Sequence, residues 1–151
     1  MDALDRQILV TLADNARQPL SRVAEELGIA QTTLHQRVRR LEEHGVIAGA
    51  RLVIDWEQVG LPVVAVVSIG VEEPGPLADA AAKFAAIPYV QNCFSITGEF
   101  DLMLVVRARS SDHLGEVLEM VRSAVHGRSR TVIALSTFFE GRVPPLPADE
   151  G

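Results

Sequence analysis

Apolar residues recur at helical spacing through the first third of the chain and in strand-like runs and helical stripes after it. Leu4, Ile8, Leu9 and Leu12 make one helical stripe. Leu20, Val23, Ala24 and Leu27 make a second, at i, i+3, i+4 and i+7. Leu34, Val38 and Leu41 make a third. Ser21 stands where an N-cap would open the second helix, and Gly28 where a left-handed residue would close it. Gly45 ends the third helix just after Arg39, Arg40 and His44. Ala24 is small enough to let the second and third helices approach across a tight turn. This pattern predicts a helix-turn-helix over residues 4–47.

The rhythm then changes. Ala50, Leu52 and Ile54 alternate with Arg51 and Val53, which predicts a short strand. Gly60 and Pro62 mark a boundary, giving domains over residues 1–62 and 63–151. Residues 63–71 read as a β-branched strand. Leu77, Ala81, Phe84 and Ala85 mark a helix, with Pro76 near its first turn. Strands follow over 90–97 and 102–107, joined by the turn Gly98-Glu99-Phe100-Asp101. Ser110 or Ser111 caps a helix carrying Leu114, Val117, Leu118, Val121 and Val125, and residues 131–139 form the last strand. The fold class is α+β: a winged-helix-like helix-turn-helix domain, then a ferredoxin-like βαββαβ domain. Both crossover helices fall on one face of an antiparallel sheet. Residues 63–67 are apolar on both faces, whereas a half-solvated strand alternates. The open face predicts a partner sheet from an identical chain, hence a homodimer. Residues 143–151 contain three prolines and read as a loose tail.

Composition adjusts this picture in four ways. Of 151 residues, 48% are apolar, enough for a packed core. The longest apolar run, residues 61–71, is 11 residues long, well short of the roughly 20 that a membrane helix needs. No membrane partner is expected. The opening residues lack a basic stretch followed by an apolar one, and Cys93 is the single cysteine. Both features fit a cytoplasmic protein without disulfides or cysteine-based zinc sites. Net charge is −6, but residues 1–56 hold seven arginines against eight acids, while residues 57–151 hold seven basic residues against twelve acids. The acid lies mainly in the second half, so a local arginine cluster remains able to meet phosphate.

The third helix carries that cluster. Gln31, Thr32, Thr33, His35, Gln36, Arg39 and Arg40 lie off its apolar stripe, and residues 31–41 contain no acid. These side chains hydrogen-bond base edges and phosphates in a major groove, so double-stranded DNA is the expected partner. In the second half, Gly98, Glu99 and Asp101 bunch two carboxylates in a turn, beside the hydroxyls of Ser95 and Thr97. One reading is a hairpin turn that needs glycine and aspartate. The other is a small-molecule site whose carboxylates meet an ammonium group. The residues alone leave both open. No catalytic site, metal or cofactor is expected. His35, His44, His113 and His126 lack metal-ligand spacing, and neither a nucleophile elbow nor a phosphate loop is present.

Three segments, in order and spacing, resemble the Lrp/AsnC family of transcription regulators. They are Leu4-Asp5-Arg6-Gln7-Ile8-Leu9, then Arg40-Leu41-Glu42-Glu43-His44-Gly45-Val46-Ile47, then Thr97-Gly98-Glu99-Phe100-Asp101. The resemblance spans nearly the whole chain. It implies a RAM-type regulatory domain, dimers through sheet-to-sheet contact that often assemble to octamers, and an amino acid or similar effector bound between subunits. It favours the effector reading of the 98–101 turn. Two positions depart from the family. Ala30 replaces the usual serine cap of the recognition helix, and residues 126–131 lack the usual Gly-Val pair. Two other readings keep the same architecture. One is an enzyme like the sirohaem decarboxylases, whose His- and Arg-rich stretch is missing here. The other is a ligand-binding scaffold without DNA binding, which the polar face of the third helix opposes.

Overall fold

The computed structural model describes residues 1–147. It divides into two compact units. One holds Met1–Val53 with the described residues from Phe139 onward, and the other holds Ile54–Phe138.

The first unit is three helices: α1 (Ala3–Asp14), α2 (Leu20–Glu26) and α3 (Gln31–Glu43). The three stripes meet as expected, with Ile8, Val23, Ala24, Leu34 and Leu41 buried together. Leu4, Leu9, Leu12, Leu20, Leu27 and Val38 pack around them, half-covered. Gly28 and Gly45 have φ of 65° and 69°, so each closes its helix in the left-handed region. The start of α2 differs from the expectation. Pro19 is the N-cap and Ser21 lies inside the first turn. Proline presets φ near the helical value, and its carbonyl already accepts Arg22 N–H at 2.9 Å and Val23 N–H at 3.2 Å.

Residues 48–55 form no strand, and Leu52 and Val53 are 74% and 102% exposed. Alternation specifies which face a strand would bury, but a strand forms only where a second backbone completes its ladder. Among the described residues, none forms a ladder with this segment.

The second unit is a four-stranded sheet in the order β2-β3-β1-β4, every neighbouring pair antiparallel. The strands are β1 (Val63–Val71), β2 (Val90–Ser95), β3 (Leu102–Ala108) and β4 (Gly127–Ala134). The helices α4 (Leu77–Ala85) and α5 (Ser111–Ala124) pack on one face and on each other. Of the two serines considered as the cap of α5, Ser110 is the one, its Oγ accepting His113 N–H at 3.2 Å. Ala65, Val67 and Ile69 of β1 join Leu102, Leu104, Val106 and Ala108 of β3 beneath Phe84, Leu114, Val117 and Val121. Val64, Val66, Met103 and Val105 point to the opposite, helix-free side and are half-buried.

Two strand ends differ from the sequence expectation. β2 stops at Ser95, so Thr97 belongs to the turn. β4 runs over Gly127–Ala134 rather than 131–139. Its register pairs Gly127 with Val71 and Ala134 with Val64, so residues beyond 135 pass the end of β1 and lose their partner. The start of β4, Gly127-Arg128-Ser129-Arg130, looks like a loop in sequence because it is polar. A polar, basic edge strand is what a sheet edge favours. Residues 142–147 have no regular structure, and the rest of the expected tail lies outside the described residues. Among the described residues, no helix is long and apolar enough to cross a membrane.

Candidate functional site

Helix α3 turns Leu34 and Leu41 into the core and leaves Gln31, Thr32, His35, Gln36, Arg39 and Arg40 exposed, with Thr33 half-buried. Its N-cap, Ala30, supplies no side-chain acceptor. The first-turn N–H groups therefore point outward at the positive end of the helix dipole, an arrangement suited to a phosphate oxygen. Arg39 makes only a local pair with Glu43 at 2.8 Å, and its side chain is 80% exposed.

Arg40 is different. The sequence places it off the core beside Arg39, yet its Nη2 donates to Asp5 Oδ2 at 2.8 Å, and Asp5 is fully buried. Arg37 Nη1 donates to Asp5 Oδ1 at 2.8 Å and to Asp2 Oδ2 at 2.6 Å. Asp2 and Asp5 also cap α1 reciprocally, Asp5 N–H to Asp2 Oδ1 at 2.8 Å and Asp2 N–H to Asp5 Oδ2 at 3.1 Å. One buried carboxylate thus ties the start of α1 to two turns of α3. Sequence reading missed this, since Asp5 lies 32 residues from Arg37. The local signal was present: Asp2 and Asp5 have capping-box spacing, and Arg37 and Arg40 are one turn apart.

Burial alone would raise the Asp5 carboxyl. Hydrogen bonds from Arg37 and the Asp2 backbone, with the charge of Arg40, outweigh it and hold Asp5 below its usual value. Asp2 falls from 3.8 to about 2, chiefly through its bond from Arg37. Both groups are more acidic folded than unfolded, so acid protonates the unfolded chain first. The stability that Asp2 contributes is complete above about pH 4 and is lost as pH falls toward about 2, and the contribution of Asp5 is likewise lost in acid. Melting scans of wild type and Asp2→Asn should converge across that window. Parallel curves from pH 6 to pH 2 would contradict the linkage.

In the second unit, Gly98 has φ of 116° and opens the turn. Ile96 N–H bonds to Asp101 O at 2.9 Å and closes it. Asp101 Oδ2 accepts the Val71 N–H at 2.8 Å, and its own N–H donates to Ile69 O at 2.9 Å. The Asp101 carboxylate therefore anchors the turn to β1. Glu99 meets Arg128, whose Nη1 reaches Glu99 Oε1 at 3.0 Å and whose Nη2 reaches the Glu99 carbonyl at 2.7 Å. Thr97, Gly98 and Glu99 are exposed. Ser95 pairs with Leu102, placing it on the helix side of the sheet with Cys93. Arg128 pairs with Gly70 on the other side, so Ser95 and Arg128 lie on opposite faces of the sheet. Arg128 went unnoticed in sequence because it sits in the stretch that reads as a loop. Among the described residues, no group of three or more His, Cys, Asp or Glu is arranged to hold a metal.

Comparison with known proteins agrees with both units. A family model described as winged helix-turn-helix DNA-binding matches residues 1–48, and one described as the Lrp/AsnC ligand binding domain matches residues 64–144. The HTH-type transcriptional regulator LrpA of Mycobacterium tuberculosis is 35% identical over 142 residues, 94% of this chain and 95% of its own. A feast or famine regulatory protein from M. tuberculosis, solved in complex with L-methionine, has a TM-score of 0.91 and 34% identity, over 96% of this chain and 99% of its own. AsnC of E. coli has a TM-score of 0.85 at 28% identity, over 95% of this chain and 97% of its own. The chain belongs to the Lrp/AsnC family of transcription regulators, with a DNA-binding helix-turn-helix followed by the family's ligand-binding domain.

Proposed function

We propose that this regulator is a cytoplasmic homo-oligomer, at least a dimer and able to build an octamer, that reads DNA with α3 and responds to an amino acid at the 98–101 turn. Residues 1–62 carry the DNA-reading function, and residues 63–151 carry assembly and effector binding. It is a binding protein and not an enzyme.

The carrying observation is the division of labour along α3. Leu34 and Leu41 are buried while Gln31, Thr32, His35, Gln36 and Arg39 remain exposed and polar. With the uncapped first turn, this face offers amide, hydroxyl and guanidinium donors for bases and backbone N–H groups for phosphate. Arg40 has a double role: it supports α3 through Asp5 and keeps about half of its side chain in solvent, within reach of a phosphate. Thr33, half-buried, meets DNA only from the rim.

We assign the effector to Ser95, Thr97, Gly98, Glu99 and Asp101; the L-methionine complex of the M. tuberculosis relative supports an amino acid as the kind of ligand. In one chain the turn is an open surface. Enclosing a small molecule there takes a second subunit, which couples occupancy to assembly.

Electrophoretic mobility of DNA from upstream of the chain's own reading frame, with and without pooled amino acids, tests the reading. The Gln36→Ala, Arg39→Ala double variant should weaken operator binding by roughly 1–3 kcal/mol for each base that is no longer read, with an unchanged melting curve. Arg40→Ala should lower both affinity and melting temperature. Operator binding by the double variant at wild-type strength would remove α3 from the interface.

A further inference from the structure

The effector turn carries a charge pair that neither hairpin formation nor core packing requires. Arg128 leaves the edge strand β4 and crosses β1 at Gly70. A Cβ on Gly70 would stand 3.0 Å from both Arg128 Cγ and Nε, so glycine there gives the side chain its track. The guanidinium then lies 5.1 Å from the centre of the Phe100 ring and holds Glu99 twice, through the carboxylate and the main-chain carbonyl. Both charged side chains are more than half exposed, 55% for Arg128 and 65% for Glu99. The other carboxylate of the turn is committed to the Val71 N–H.

We propose that Arg128 and Glu99 are the effector-recognition pair, opened by a zwitterion that inserts between them. The α-carboxylate of the effector takes the guanidinium of Arg128, and its ammonium takes the carboxylate of Glu99. This rests on the effector reading above and adds which two groups read the two ends of the ligand. The energetics favour exchange. An exposed ion pair is worth about 0–1 kcal/mol, so opening it is cheap, and one pair is replaced by two. The Phe100 ring and the Gly70 track hold the guanidinium in place after Glu99 turns away, which limits the ordering cost. The bonds that form are charge-assisted and become stronger when a second subunit excludes water. On the same side of the sheet, Arg130, Ser68, Met103 and Phe94 form the next cross-strand row, with Met103 half-buried and Phe94 46% exposed. An apolar or thioether side chain of the effector would rest on Met103 and Phe94. The ligand class is therefore a free α-amino acid with an uncharged, mostly apolar side chain, with both termini unblocked.

Isothermal titration of the full-length protein tests this with four probes: L-methionine, L-leucine, L-methioninamide, which lacks the carboxylate, and N-acetyl-L-methionine, which lacks the ammonium. Wild type should bind the two amino acids and bind each blocked analogue at least about tenfold more weakly, the loss of one charge-assisted bond. Arg128→Val keeps strand propensity. It should lose about tenfold toward L-methionine and stop discriminating against the amide. Glu99→Gln should stop discriminating against the N-acetyl form. Gly70→Ala should give a milder version of the Arg128→Val result, because it displaces Arg128 without removing it. Loss of discrimination separates recognition from mere support of the fold, and circular dichroism checks folding. If L-methionine binds and Arg128→Val keeps both affinity and discrimination against the amide, the pair is wrong and the effector reading stands. If wild type binds neither L-methionine nor L-leucine, the apolar amino-acid reading of the effector fails and the pair fails with it.

Discussion

Val67→Asp should unfold the second unit, whereas Val66→Asp, one residue away, should leave it folded and monomeric. The strand period of two makes the difference. Val67 is fully buried on the helix side, in the cluster with Leu104, Phe84 and Val117. An ionised carboxylate there has no partner. Its desolvation costs several kcal/mol, comparable to the whole stability of a domain. Val66 is half-buried on the helix-free side, between Val105 of β3 and Val132 of β4, and Val132 is 51% exposed. A carboxylate at 66 keeps water in a single chain and loses it only when a second sheet covers the face. Circular dichroism should show Val66→Asp folded and light scattering should show it at the mass of one chain. A wild type that is monomeric at micromolar concentration, or a Val66→Asp protein with the oligomeric mass of wild type, would rule out this face as the interface. The same comparison holds for Val64 against Val63, because Val64 shares the open side and Val63 packs against the core.

The sequence left that choice of face open. Val63, Val64, Val66 and Val67 have the same chemistry, and only the positions of α4 and α5 say which pair is inside. What was legible was local. The three stripes of the first unit, the closing glycines at 28 and 45, a serine cap at 110 or 111 and the βαββαβ order all follow from spacing within a few residues. What was not legible depended on a distant neighbour. The alternation at 50–54 makes no strand because, among the described residues, none pairs with it. The polar segment 127–130 makes one because β1 lies beside it. The exposed face of α3 was readable from the apolar stripe, and the structure leaves Gln31, Thr32, His35, Gln36 and Arg39 exposed while half-burying Thr33 and pairing Arg40 with Asp5. The turn at 98–101 was readable as a turn, but the partners of its two carboxylates were not. Asp101 is committed to Val71, 30 residues back, and Glu99 to Arg128, 29 residues on. Arg40 shows the same limit: its neighbours in sequence place it on the solvent face, and its partner across 35 residues makes it structural as well.

Asp5→Ala should be the most damaging single polar change in the first unit, and it should reduce DNA binding although Asp5 itself touches no DNA. The variant removes three things together: the return half of the α1 capping box, the acceptor for Arg37 and the acceptor for Arg40. Breaking a buried pair from one side commonly costs about 3–5 kcal/mol, because the remaining charge stays buried. Here the remaining charges are guanidiniums, and the Arg40 side chain is already 53% exposed and Arg37 25%, so both can turn to water. The expected loss is therefore smaller, about 2–3 kcal/mol for the carboxylate and its cap together. Arg40→Ala should cost less than Asp5→Ala, since Arg37 still satisfies one oxygen of the buried carboxylate. The double variant should cost less than the sum, because the two residues act through one shared ion pair. The DNA effect follows from geometry. Asp5 is the buried tie from α1 to Arg40 and shares Arg37 with Asp2, so without it the reading face is held by Leu34, Leu41 and Val38 and by the exposed Asp2–Arg37 pair. Denaturant melts of the four proteins give the stability cycle, and mobility shifts at a temperature where all four are folded give affinity. Asp5→Ala with wild-type operator affinity would show that apolar packing and the Asp2–Arg37 pair orient α3 without the buried carboxylate. A fully additive cycle would show that Arg40 contributes through a partner other than Asp5.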